Sequence, residues 1–316
     1  MAERQDSGDG RAVAFVRSLA AASPLRCAVL ETLMCDFCLK HGEGKKWYLQ
    51  ARNYSEDLLS DVRRRRAVTE FFSGSESAVA VPGRRMGRLL GRMPPFVRRA
   101  AMSWKGWRAK KLHFGQVLPL EDVREILGFV NSIVRLPCIC RHVTLGREAR
   151  YCYGVSMGPG GGAFGDLVRG MDDSFMGGPD TAAFEELTPS QALAAFAEHE
   201  TEALCHTVWT FMTPFIGGIC NCDRSDCMAM RATLRHGPKV MFRAEYLATV
   251  DPEACTGCRS CMRVCQFGAL GYSAATRKAL VESTACYGCG VCRSACGSDA
   301  ISLRPRAEVS AAAHLW

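Results

Sequence analysis

The chain lacks a long hydrophobic run. The longest lies near residues 207–219, about 13 residues with Pro214 inside it, whereas a membrane-spanning helix needs about 20. The basic head and apolar core of a signal peptide are missing too: residues 1–10 are polar and carry acids. A soluble, cytoplasmic protein with no transmembrane segment is the expectation. Diagnostic catalytic residues are equally scarce. The seven histidines are scattered, and no carboxylate pair, flavin site or nicotinamide site is readable. Catalytic residues therefore stay unassigned. Residues 84–111 lack acids altogether while holding ten Lys and Arg. That stretch accounts for the formal charge of +8; the remainder is near neutral.

What the sequence has in excess is cysteine, 18 in 316 residues. A chain of this size does not need disulfides to fold. In a reducing compartment, cysteines in such numbers point to metal binding or redox chemistry.

The last 60 residues repeat themselves. Val250-Asp-Pro-Glu-Ala-Cys255 parallels Val281-Glu-Ser-Thr-Ala-Cys286, and Ala269-Leu270 parallels Ala300-Ile301. The offset is 31 residues throughout, as expected of a duplicated unit with pseudo-twofold symmetry. Each unit carries the same run: Cys255-x2-Cys258-x2-Cys261-x3-Cys265, then Cys286-x2-Cys289-x2-Cys292-x3-Cys296. A C-x-x-C-x-x-C loop can wrap a cube, and the fourth cysteine serves the other cube.

Residues 246–305 thus resemble two-cluster bacterial-type [4Fe-4S] ferredoxins. The resemblance implies one cluster on Cys255, Cys258, Cys261 and Cys296, and another on Cys286, Cys289, Cys292 and Cys265. It implies electron transfer to a redox partner protein. One departure is visible: the proline usual after the fourth cysteine is replaced by Gln266 and Gly297. Three further stretches, Gly42–Leu49, Leu136–Arg141 and Ile219–Cys222, resemble a group of prokaryotic ferredoxin-domain iron–sulfur proteins for which no substrate is implied.

Ten cysteines remain. Cys138-x-Cys140-Arg141 with Cys152, and Cys220-x-Cys222 with Cys227, each pair a C-x-C with a third thiol. Two such half-sites can join around a third metal centre, either iron–sulfur or zinc. The C-x-C side chains are expected to diverge in extended chain and to converge if the backbone turns; Pro137 and Gly217-Gly218 invite turns. Arg141 is the candidate cofactor-binding residue, donating to cluster sulfurs. His142 and His206 are candidate nitrogen ligands. Cys35-x2-Cys38 has several readings, of which a structural one leads. Cys27 and Cys205 read as core residues.

The fold expectation is α+β: a largely helical N-terminal part and a C-terminal pseudo-twofold ferredoxin domain of short β-hairpins and helices. Residues 1–83 form a helical region containing the C-x-x-C. Residues 84–118 form a basic linker or docking segment. Residues 119–245 form an α+β cysteine-rich domain with both C-x-C half-sites, 246–305 the ferredoxin domain, and 306–316 a tail. Helices are expected over 56–72, from Pro119 to Pro137, and after Thr188-Pro-Ser-Gln191. A loop is expected at 73–83, and Val208–Ile219 reads as strand.

Residues 84–111, with Met and Trp interleaved among the cations, suit a solvated helix face, an acidic protein or an anionic membrane surface. No specific DNA motif is present. Gly158-x-Gly160-x-Gly162 lacks the context of a phosphate loop and reads as a flexible loop. The leading function is single-electron transfer between a redox partner and the third centre. Alternatives are an iron–sulfur oxidoreductase component with its active site there, and a redox-responsive nucleic-acid-binding regulator.

Overall fold

Three short 3-10 turns, Trp47–Leu49, Ala51–Tyr54 and Glu56–Ser60, begin the described part of the protein. The structure is a computed structural model and describes residues 46–80, 94–170, 184–235 and 238–315. Cys27, Cys35, Cys38 and residues 84–93 of the basic stretch lie outside these. Trp47, Tyr48 and Tyr54 are buried. The Tyr48 hydroxyl donates to Asp122 at 2.6 Å, so the turns are anchored to the domain that follows.

Helix α1 spans Val62–Ala80. The expected start at residue 56 is a 3-10 turn, and the expected loop at 73–83 is helical as far as Ala80. No proline interrupts that stretch before Pro82, so the helix has no local reason to stop. Helix α2 spans Pro95–Leu112, with proline in its first turn. Strand β1 (Gly115–Leu118) follows.

Helix α3 (Leu120–Phe129) buries Val123, Ile126 and Leu127. The expected continuation to Pro137 is wrong. Val130 is already extended, and Ser132–Leu136 forms strand β2. Its buried Ile133 and Val134 are β-branched, and partners on both edges outweigh helical spacing. Helix α4 (Ile139–Leu145), β3 (Cys152–Ser156), α5 (Gly162–Arg169) and β4 (Glu185–Leu187) come next. Helix α6 (Pro189–Thr201) carries the expected capping box. Gln191 N–H donates to Thr188 Oγ1 at 3.3 Å, and Gln191 Oε1 accepts from the Thr188 amide at 2.9 Å.

The segment read as one strand is two: β5 (Cys205–Thr210) and β6 (Ile216–Cys222). The chain reverses between them at Phe211–Phe215, where the Phe211 N–H donates to the Phe215 carbonyl at 2.8 Å. Helix α7 (Met228–Leu234) and β7 (Met241–Phe242) complete a seven-stranded sheet of order β4-β2-β3-β6-β5-β1-β7. Its pairs are antiparallel except β1 with β7. The class is α+β, with a larger sheet at its centre than the helical reading anticipated.

The C-terminal part contains β8 (Tyr246–Val250), α8 (Ser260–Val264), β9 (Leu270–Ser273), β10 (Lys278–Val281), α9 (Val291–Ser294) and β11 (Ile301–Pro305). Strand β8 pairs with β11 and β10 with β9, both antiparallel. The offset of 31 reappears in the backbone. Left-handed residues occur in three pairs: Gly257 with Gly288, Arg259 with Gly290, and Gly268 with Asp299. At Gly257 and Gly288 a Cβ would fall 2.2 Å from the Arg277 carbonyl oxygen and 2.1 Å from that of Tyr246. Each repeat thus needs glycine inside its first C-x-x-C.

Candidate metal centres and the cavity between them

The two repeats exchange their fourth cysteines. Cys255, Cys258, Cys261 and Cys296 line one cavity near the surface. Cys258 is exposed. Cys286, Cys292 and Cys265 lie within electrostatic reach of Cys289, forming the second group. Backbone N–H groups point at these sulfurs: Ala279 N–H reaches Cys255 Sγ at 3.5 Å, and Ala269 N–H reaches Cys265 Sγ at 3.3 Å. Burial raises the Cys286 thiol, raises Cys289 strongly, and pushes Cys292 up to about 12. Arg306, itself buried, clamps the domain by donating to the carbonyls of Ala244, Tyr246 and Cys286 at 2.7, 2.9 and 3.0 Å.

Residues 247–297 match the 4Fe-4S dicluster domain family. This part of the chain is a ferredoxin-type iron–sulfur domain, and iron–sulfur electron transfer is the role it supports. No curated protein matches the chain. Among the described residues, no helix is long and apolar enough to cross a membrane.

The six cysteines of the two C-x-C half-sites are brought together. Strand alternation, not a turn, aligns Cys220 with Cys222 on β6: residues i and i+2 share a face. The expectation that the side chains part in extended chain was wrong, and Gly217-Gly218 lie within the strand. Cys152 stands opposite Cys220 in the β3/β6 ladder, with the sulfurs 3.2 Å apart. Cys138 caps the N-terminus of α4, Cys140 lies inside it, and Cys227 caps α7. Sulfur contacts run from Cys220 through Cys152, Cys138, Cys140 and Cys227 to Cys222. The string bends back on itself, since its two ends are neighbours on β6.

One thiol of the string favours the charged form. Hydrogen bonds from Cys140 and Cys152, together with the Arg141 guanidinium, hold Cys138 well below the ordinary thiol range against its burial. Cys140 and Cys152 rise, each first because it donates to Cys138. Burial alone would lower Arg141, but the charges of Cys138, Asp223 and Cys222 raise it. Its guanidinium donates to the Asn221 carbonyl at 3.0 Å and to Asp223 Oδ2 at 2.5 Å, and lies 4.0 Å from the Tyr151 ring centroid. Arg141 therefore lies beside the thiols. His206 does not. It faces the other side of β5, donating from Nδ1 to Asn221 Oδ1 at 2.6 Å with Nε2 3.6 Å from Glu200 Oε1.

Among the described residues, no three His, Cys, Asp or Glu side chains converge as a single-ion site. This holds equally for the ferredoxin thiols. The six cysteines of the half-sites line a cavity of about 360 Å³.

Sequence reasoning missed what connects the two thiol groups. Cys205 is fully buried, as expected of a core cysteine. It also faces Cys222 across the β5/β6 ladder and lies within electrostatic reach of both Cys289 and Cys227. Cys205, Cys222, Cys227 and Cys289 share one apolar core with Tyr287 and Phe267. Those two rings stack with centroids 4.0 Å apart, each close in sequence to a cysteine of the second ferredoxin group. Pro214 between two apolar runs was the signal for the β5/β6 hairpin that pairs Cys205 with Cys222; nothing local in the sequence links either to Cys289.

The glycine-rich turn is not an anion cradle. The Glu56 carboxylate already accepts the Ala163 N–H at 3.0 Å at the start of α5.

Proposed function

We propose that the protein conducts single electrons from a partner at its surface, through two [4Fe-4S] clusters, to a third centre held by the six sheet cysteines. The first cluster is held by Cys255, Cys258, Cys261 and Cys296, and is the entry point because Cys258 is exposed. The second is held by Cys286, Cys289, Cys292 and Cys265. Bound iron supplies the positive charge that makes deprotonation of buried thiols favourable. Backbone N–H groups aimed at the sulfurs, and Arg141 at the third centre, raise the potentials.

The observation that carries the route is the position of Cys205, buried in one apolar core with Cys289 of the second cluster set and with Cys222 and Cys227 of the third. For the third centre, an iron–sulfur cluster fits better than zinc. One zinc takes four ligands, whereas six thiols border this cavity. The cavity also favours the oxidoreductase reading, since the third centre borders space that a small molecule can enter.

Anaerobic purification with iron, sulfide and zinc analysis tests the reading. The expected result is well above the roughly eight irons of two cubes, falling to about eight in Cys220→Ala. Eight irons in the unaltered protein, without zinc, would remove the third centre.

Helix α2 favours one partner among those open to the basic stretch. Phe96, Val97, Trp104, Trp107 and Leu112 are all exposed, although the opposite side buries Met102. Arg108 lies over the Trp104 ring and Lys111 over the Trp107 ring. An aromatic, wholly basic outer face is that of a helix lying on an anionic membrane surface.

A further inference from the structure

The cavity that the six thiols border is also walled by rings: Phe71, Phe72, His113, Phe164, Trp209 and Phe211. They come from α1, the residue after α2, α5, β5 and the β5–β6 turn. Phe72 and Phe211 stack at 5.7 Å, His113 and Trp209 at 5.0 Å, and Phe71 meets His113 at 4.4 Å. Gly217 lines the same space, and the absence of a side chain there lets Phe164 and Phe211 close in.

Polar groups along the wall are mostly engaged elsewhere. Trp209 Nε1–H donates to Thr207 Oγ1 at 2.8 Å. The Tyr153 hydroxyl is bonded to His199 at 2.8 Å. Arg141 is held by Asn221 and Asp223. His113 Nδ1–H donates to the Thr210 carbonyl at 2.6 Å, and burial lowers the ring to about 4, so it is neutral near pH 7. Its proton sits on Nδ1, and Nε2 keeps a lone pair. Glu70 stands at the exposed rim, paired with Arg66 at 2.8 Å. An anionic ligand would meet a carboxylate at the entrance and no uncommitted cation inside.

We propose that the cavity binds a neutral, planar, apolar molecule of one or two rings, held against the aromatic wall beside the thiols, with a ring hydroxyl donating to His113 Nε2. A cavity of about 150 Å³ already holds benzene. The 360 Å³ here leaves room for such a ligand beside an inorganic centre. Flat ligands gain from offset stacking and edge contacts with the rings. The proposal deepens the oxidoreductase reading by naming the ligand class, and it rests on that reading only for the ligand's meeting the third centre.

The test is calorimetric titration of the anaerobically purified full chain with naphthalene, 1-naphthol and 1-naphthoate. Naphthalene should bind, 1-naphthol about three- to tenfold more tightly, the worth of one hydrogen bond, and the anionic naphthoate at least about tenfold more weakly than naphthalene. Ile139→Trp, which places an indole in the cavity, should abolish binding. His113→Phe should keep naphthalene binding and erase the advantage of naphthol. Failure of naphthalene to bind, tighter binding of naphthoate, or survival of the naphthol advantage in His113→Phe overturns the proposal. Iron content of the same samples separates the two readings. Binding with only eight irons defeats the third centre and leaves the ligand site. More than eight irons without binding defeats the ligand site alone.

Discussion

Gln266 donates from its side-chain amide to the Ala203 carbonyl at 2.6 Å, while its Oε1 accepts the Arg224 N–H at 3.0 Å. It occupies the position after Cys265 where the ferredoxin resemblance leads one to expect proline. The departure has a structural reason: the side chain fastens the end of the first ferredoxin repeat to the sheet domain next to Cys205. Arg293 adds a second tie through Glu121, with a 2.8 Å contact.

Gln266→Pro should therefore keep both ferredoxin clusters and loosen the docking. Cys265 is already extended, at φ −73° and ψ 104°, which suits the residue before a proline. The cost is then the lost hydrogen bonds, about 1–3 kcal/mol. Anaerobic thermal unfolding should show a lower midpoint at unchanged iron content. Loss of iron instead would place the effect in the cluster loop.

Cys205 and Cys220 should behave differently on truncation. Cys205→Ala removes a buried sulfur outside all three proposed ligand sets, so iron and sulfide should be unchanged, with a packing loss of about 1–2 kcal/mol. Cys220→Ala should lose the iron above eight. Equal iron losses would make Cys205 a ligand.

Acid should weaken the protein through His113. Its native value of about 4 lies below the ordinary 6.5. Above about pH 6.5 neither folded nor unfolded chain protonates it, and it contributes no pH dependence. As pH falls from 6.5 towards 4, the unfolded chain takes up a proton that the folded one refuses. Stability declines by at most about 3 kcal/mol. Denaturant titrations at pH 7 and pH 4.5 on wild type and His113→Phe should show a smaller acid loss in the variant.

Vesicle binding should depend on the outer face of α2. Co-sedimentation with phosphatidylserine-containing vesicles is expected, with little on neutral phosphatidylcholine and less at high salt. Replacing both Trp104 and Trp107 by Ala should abolish it. Equal binding to neutral vesicles would contradict the charge argument.

The ferredoxin part was legible because its information is local. Eight cysteines at fixed spacing, a register of 31 and a glycine inside the first C-x-x-C of each repeat specify loops that close on themselves. The capping box at Thr188 was legible for the same reason. The region after Pro119 misled, because Leu120 to Val134 carries helical spacing throughout, and only pairing with β3 and β4 turns its second half into a strand. The C-x-C half-sites were recognised as partners, but through the wrong geometry: strand alternation aligns Cys220 with Cys222 without any turn.

The sequence by itself determined which thiols belong to each ferredoxin repeat and that the protein has charge concentrated in one stretch, since both are properties of neighbours along the chain. Only the tertiary structure decided that β3 lies beside the β5/β6 hairpin, that six distant thiols line one cavity, and that Cys205 shares a core with Cys289 of the second repeat. Those relations join residues up to about a hundred positions apart. They depend on which strand edges pair and which apolar faces meet, and that choice is made by packing across the whole fold.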